Sequence, residues 1–144
     1  MTLVLQVLQE KGFEVATVAP QLPVYDAIRL MAEKDIGALV VMEDDEIVGL
    51  ISERDYARNV VLMGRISPTT QVSDVMVTRV AYARPDQTVA ECMAVMTDAR
   101  VRHLPVLDDG RLVGIVSIGD LVKSTISEQK FIIEELVHFI SRDR

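Results

Sequence analysis

The sequence predicts an α+β fold built from two copies of one β-α-β-β-α unit. Two observations carry this expectation. The first is an internal repeat: residues 15–61 align with residues 80–126 at a constant shift of 65, without an insertion. Pro20 falls on Pro85, Val24 on Val89, Met31 on Met96, Gly49 on Gly114, Ser52 on Ser117 and Asp55 on Asp120. The second is a change of apolar period inside each copy, from helical spacing to short runs split by a turn signal. A repeat of this length implies one supersecondary unit per copy. Two copies are too few for a solenoid, so the halves are expected to pack about an approximate two-fold axis.

Each copy starts with a short strand candidate, Val15–Val18 and Val80–Ala83, ending near a proline that disfavours helix in the residue before it. Val24, Ala27, Ile28 and Met31 then keep helical spacing, as do Val89, Cys92, Met93 and Met96. TVAE at 88–91 has the pattern of a capping box, in which Thr88 caps the helix and Glu91 reaches back. ALVVM, EDDE and IVGLI read as a hairpin. The second copy reads the same way as LPVL, DDGR and LVGIV, and Asp109-Gly110 is the stronger turn signal. Helices are expected at about 53–61 and 118–126. MGRISPTTQ is the linker, with Gly64 and Pro68 as breakers. TLVLQVLQEK and TTQVSDVM read as helical lead-ins to the two copies.

The tail FIIEELVHFI carries an apolar stripe of Phe131, Ile132, Leu136, Phe139 and Ile140, with Glu134, Glu135 and Arg142 off it. Such a stripe either packs on its own module or forms a subunit interface. A chain of 144 residues is long enough to bury a core without disulfides or metals. The net charge of −7 argues against nucleic acid, which needs clustered Lys and Arg, and against anionic membrane surfaces. Cys92 is the single cysteine and reads as a small buried hydrophobe, so oxidising secretion is not suggested. The first residues lack a basic segment ahead of their apolar stretch, and no apolar run approaches membrane-spanning length. The cytoplasm is the compartment expected.

GLISERDY (49–56) and GIVSIGDL (114–121) place the same corner at each strand-to-helix junction. Serine followed three residues later by aspartate makes a helix N-cap. The same end also suits an anionic ligand, and a carboxylate there can accept from both hydroxyls of a ribose. In RVRHLPV, Arg102 and His103 stand just before a hairpin strand, where they can hold phosphate oxygens or remain solvated strand-end residues. The first copy has Gly37 and Ala38 at these positions, and Arg54 where the second has Gly119, so the two corners are unequal. Ser117, His103 and Asp120 invite a triad, but a triad is a geometry. Here serine and aspartate share one helix turn, and the first copy has no histidine at the matching place. The chain is therefore not expected to be an enzyme.

The doubled pattern of an apolar strand running into G-h-h-S-x-x-D, with LPV in the preceding strand, resembles the cystathionine β-synthase (CBS) domain. Two such repeats make a CBS pair, and SERDYAR, RHLPV and GIVSIGDLVK closely resemble stand-alone two-CBS proteins. The resemblance implies one CBS-pair module over 1–144, with repeats at 9–61 and 74–126, a linker at 62–73 and a C-terminal amphipathic helix at 127–144. It implies packed sheets with helices outside, and clefts that bind AMP, ADP, ATP, NAD(H) or S-adenosylmethionine. Carried across, Asp55 and Asp120 would hold ribose. Ser52, Arg54, Ser117, Arg102 and His103 would lie near phosphate. Val15, Ala16, Ile36, Gly37, Ala38, Val80, Ala81 and Val101 would line adenine pockets. No catalytic cofactor or metal is implied. The expected role is a nucleotide sensor that pairs as a homodimer and acts on an effector protein in trans. The competing role is a structural dimerisation module with degenerate clefts.

Overall fold

The computed structural model describes residues 1–142; residues 143 and 144, the end of the expected tail, lie outside the described residues. In chain order the elements are α1 (Val4–Lys11), β1 (Thr17–Val18), α2 (Val24–Lys34), β2 (Ala38–Glu43), β3 (Glu46–Ser52), α3 (Glu53–Tyr56), α4 (Val89–Ala99), β4 (His103–Asp108), β5 (Arg111–Ser117) and α5 (Ile118–Arg142). A π-helical turn, Ala57–Val61, continues α3, and a 3-10 turn spans Val72–Asp74. Two compact units divide the chain. A contiguous unit holds residues 15–80, and a split unit joins residues 1–14 to the chain from residue 81 onward.

In the contiguous unit the sheet order is β1-β2-β3, with β1 parallel to β2 and β2 antiparallel to β3. The helical spacing read from the sequence puts Val24, Ala27 and Met31 on one face of α2, and that face buries against Leu39, Val41 and Ile51. The split unit repeats the arrangement with Val89, Cys92 and Met96 of α4 against Leu104, Val106 and Val116. Cys92 is fully buried in that core, and burial pushes its thiol above the ordinary value, as suits a packing residue.

Local signals are honoured in both copies. The hairpin turns place Asp44 and Asp45, then Asp109 and Gly110, at positive φ, the requirement of a two-residue hairpin turn that matches strand twist. Helices α2 and α4 end on left-handed residues, Asp35 and Arg100, which are 65 apart. The capping box closes as expected: the Glu91 amide donates to Thr88 Oγ1 at 3.1 Å and the Thr88 amide to Glu91 Oε1 at 3.3 Å.

Three expectations need correcting. The strand expected at Val80–Ala83 shrinks to a single bridge from Ala83 to Val106, so the split unit has a two-stranded sheet, β4-β5. Pro105 is the reason. In the first copy the Val40 amide donates to the Ala16 carbonyl at 3.2 Å. Pro105 occupies the matching position, has no N–H to give, and truncates the ladder. The strand expected from Val15 is likewise confined to Thr17–Val18. Second, the helices expected at 118–126 and 127–144 are one helix, α5, because nothing between Leu121 and Arg142 is glycine or proline. Third, the apolar stripe does not pack on its own module. Phe131, Leu136 and Phe139 are 62, 56 and 63% exposed. The Arg142 side chain lies outside the described residues.

The lead-ins also settle elsewhere than beside the copies they precede. Helix α1 packs in the split unit, with Leu8 fully buried beside β5. The segment before the second copy joins the contiguous unit, where Leu50 and Val77 exchange backbone hydrogen bonds of 3.0 and 2.9 Å. Both motif glycines are explained by these approaches. A Cβ on Gly49 would stand 2.6 Å from Met76 Sδ and 2.9 Å from the Val77 carbonyl oxygen, and one on Gly114 would stand 2.7 Å from Leu8 Cδ2.

Candidate functional site

In each unit the first strand of the hairpin begins opposite the motif serine. In the contiguous unit Ala38 pairs with Ser52 across β2 and β3, and the Glu53 amide donates to the Gly37 carbonyl at 3.1 Å. In the split unit His103 pairs with Ser117, and the Ile118 amide donates to the Arg102 carbonyl at 2.8 Å. The strand start and the helix start are thus tied together in both copies. Of the residues expected around adenine, Ala38 is buried, while Val15, Ala16, Ile36, Gly37, Val80, Ala81 and Val101 are half-buried. Ala16 and Ile36 pack on the core of the contiguous unit, and Ala81 and Val101 on that of the split unit. Arg54 and Arg102 are exposed.

The serine and aspartate form reciprocal caps. The Asp55 amide donates to Ser52 Oγ at 3.3 Å, and the Ser52 amide to Asp55 Oδ2 at 2.9 Å; Ser52 Oγ also donates to that oxygen at 2.9 Å. In the second corner the Asp120 amide donates to Ser117 Oγ at 3.1 Å, and the Ser117 amide to Asp120 Oδ2 at 2.8 Å. These are the bonds of a helix N-terminus satisfying its free donors. The Ser117 hydroxyl is engaged with the backbone, and Asp120 turns to the Ser117 amide.

Sequence reasoning missed Lys11. Its Nζ donates to Asp120 Oδ2 at 2.7 Å and to the Ile115 carbonyl at 2.7 Å. Burial pushes the Asp120 carboxyl upward, but the Lys11 hydrogen bond, the Ser117 amide and the Lys11 charge outweigh it and hold its pKa below the ordinary value. Lys11 precedes the aligned block, and its place in the repeat is taken by Met76 in the other copy. The one available signal was a lysine closing a lead-in helix, where a cation suits the dipole.

His103 is half-buried. Desolvation is the main reason its pKa falls below 6.5; Lys11 and Arg102 push the same way, against the opposing pull of Asp120. A histidine kept neutral by the fold contributes stability above its unfolded pKa, and that stability is lost as pH falls through the depressed folded value. Thermal melts between about pH 7.5 and 5 are therefore expected to show wild type losing more stability than His103→Gln, so that the gap between them narrows on acidification. Parallel curves would show that the fold leaves the His103 pKa where it stands in the unfolded chain.

Comparison with known proteins finds the same two stretches. The family model for the CBS domain matches residues 11–62 and 72–126. The mitochondrial CBS domain-containing protein CBSX3 of Arabidopsis thaliana is 38% identical over 122 residues, 81% of this chain and 59% of that protein, so the chain spans under two thirds of that relative. A solved CBS-domain protein from Burkholderia ambifaria MC40-6 is 53% identical, with a TM-score of 0.86 over 89% of this chain and 96% of that one. The CBS domain pair of protein MJ0100, solved with 5'-methylthioadenosine and S-adenosyl-L-methionine, is similar in fold alone: 22% identity and a TM-score of 0.78 over 89% of this chain and 98% of that one.

Proposed function

Because this chain belongs to the CBS domain family, as a tandem pair of CBS repeats, we propose that it is a non-catalytic regulatory module that binds an adenosine-containing nucleotide. The observation that carries the reading is the acid-and-serine corner, built twice at a strand-to-helix junction with the same reciprocal bonds. Asp55 and Asp120 accept from ribose hydroxyls. Ser52, Arg54, Ser117, Arg102 and His103 lie near phosphate. The half-buried residues at the strand starts, with Ala38, receive the adenine. The ligand is AMP, ADP, ATP or NAD(H), and a partner protein reads the bound state. A ligand shifts such an equilibrium only by its differential affinity for the two states. The adenosine ligands of the MJ0100 pair support the ligand class.

A second reading, a structural dimerisation module, is favoured by the exposed apolar stripe on α5 and by a cap geometry that accounts for serine and aspartate without ligand. Calorimetric titration separates the two. Measurable heat with at least one of AMP, ADP, ATP and NAD is expected, and the melting temperature should rise once ligand exceeds its Kd. Silence from all four at millimolar concentration leaves the dimerisation reading.

A further inference from the structure

The two corners share their caps but differ in the charge set around them. In the split unit Lys11 reaches Asp120 from α1, His103 pairs with Ser117 across β4 and β5, and the Arg102 carbonyl just before β4 accepts from the Ile118 amide. At the shift of 65, the contiguous unit has Met76, Gly37 and Ala38 at the places of Lys11, Arg102 and His103. Lys11 is firmly placed. Leu8, one turn earlier in α1, is fully buried, and the ammonium is fixed by two bonds of 2.7 Å, to Asp120 and to the Ile115 carbonyl. An ammonium has three donors, so one remains for a further acceptor. The side chain is 34% exposed, which leaves it open to a ligand.

We propose that Lys11 is a ligand-binding residue of the Asp120 corner and commits that corner to ligands that carry an anionic group beside the ribose. This rests on the reading of Asp120 as the ribose acid. The ammonium already neutralises that carboxylate in the free protein. A neutral nucleoside therefore meets a paired acid, whereas a nucleoside phosphate also gains the third ammonium donor and the exposed Arg102. Charge-assisted bonds of this kind are roughly twice as strong as neutral ones. The corner at Asp55 has a methionine at the place of this lysine, and its phosphate contact falls to Arg54 instead.

AMP and adenosine differ only in the phosphate, and are the probes. They are titrated into the full chain carrying Asp55→Asn, so that the Asp120 corner is read alone, with circular dichroism melts as a folding control. AMP is expected to bind more tightly than adenosine. Adding Lys11→Met, the residue found in the other copy, is expected to weaken AMP by at least about ten-fold and to leave adenosine unchanged or tighter. Lys11→Arg is expected to keep the preference. An unchanged AMP-to-adenosine ratio in Lys11→Met, whether both affinities hold or both fall together, overturns the proposal and makes Lys11 a structural clamp. If neither probe binds before Lys11 is altered, the ribose reading falls and takes the proposal with it.

Discussion

Gly49→Ala is expected to lower the melting temperature by roughly 4–12 °C, from an overpacking cost of about 2–3 kcal/mol. The added methyl would sit 2.6 Å from Met76 Sδ and 2.9 Å from the Val77 carbonyl oxygen. The methionine end can swing aside. The carbonyl cannot, because it accepts from the Leu50 amide while the Val77 amide donates back to Leu50. The new Cβ must therefore break the pair that holds this segment to β3. Gly114→Ala is expected to cost less, since the atoms nearest its methyl belong to the Leu8 side chain and not to backbone, although that side chain is fully buried. Thermal denaturation of the two variants beside wild type measures both effects, and a Gly49→Ala protein that melts with wild type would refute the close approach.

The largest effect on binding is expected at Asp120. In Asp120→Asn the side-chain oxygen can still accept from the Ser117 amide, so the cap persists, but the acceptor is no longer charged. Hydrogen bonds to a charged group contribute about 1.5–3 kcal/mol, so AMP affinity should fall roughly ten- to a hundred-fold for each ribose hydroxyl concerned. The carboxyl pKa is depressed, despite the upward push of burial, by Lys11 and the Ser117 amide. Its contribution to stability is present above the ordinary value of 3.8 and disappears as pH falls through the depressed folded one. The variant should thus bind weakly at neutral pH while lacking that acid-labile increment. Wild-type affinity in Asp120→Asn, measured by calorimetry, would remove Asp120 from the ribose site.

The legible features were those set by neighbours in sequence. The turns at 44–45 and 109–110, the Thr88–Glu91 box and the buried faces of α2 and α4 each depend on residues within one or two turns. The truncated strand was legible in principle, since Pro105 stands openly in LPVL, but its consequence appears only once its opposite number, Val40, is seen donating to Ala16. Continuity of α5 hid behind a change in composition near residue 127 that contains no breaker. Lys11 was out of reach, because its contact with Asp120 joins residues separated by 109 positions. The ligand roles stay harder to read for another reason: a cap and a ribose site ask for the same serine and acid at the same spacing.

The crossing of the lead-ins has a consequence for how the molecule is made. Residues 15–80 are contiguous, so that unit can close as soon as its last residues leave the ribosome. The other unit cannot. Thr2 meets Glu128 across 126 positions, and Lys11 meets Asp120 almost as far away. Helix α1 is thus synthesised before the elements of its own unit and can dock only after they follow. Until the chain passes residue 80, Val4, Val7 and Leu8 have none of the rest of their core to pack on.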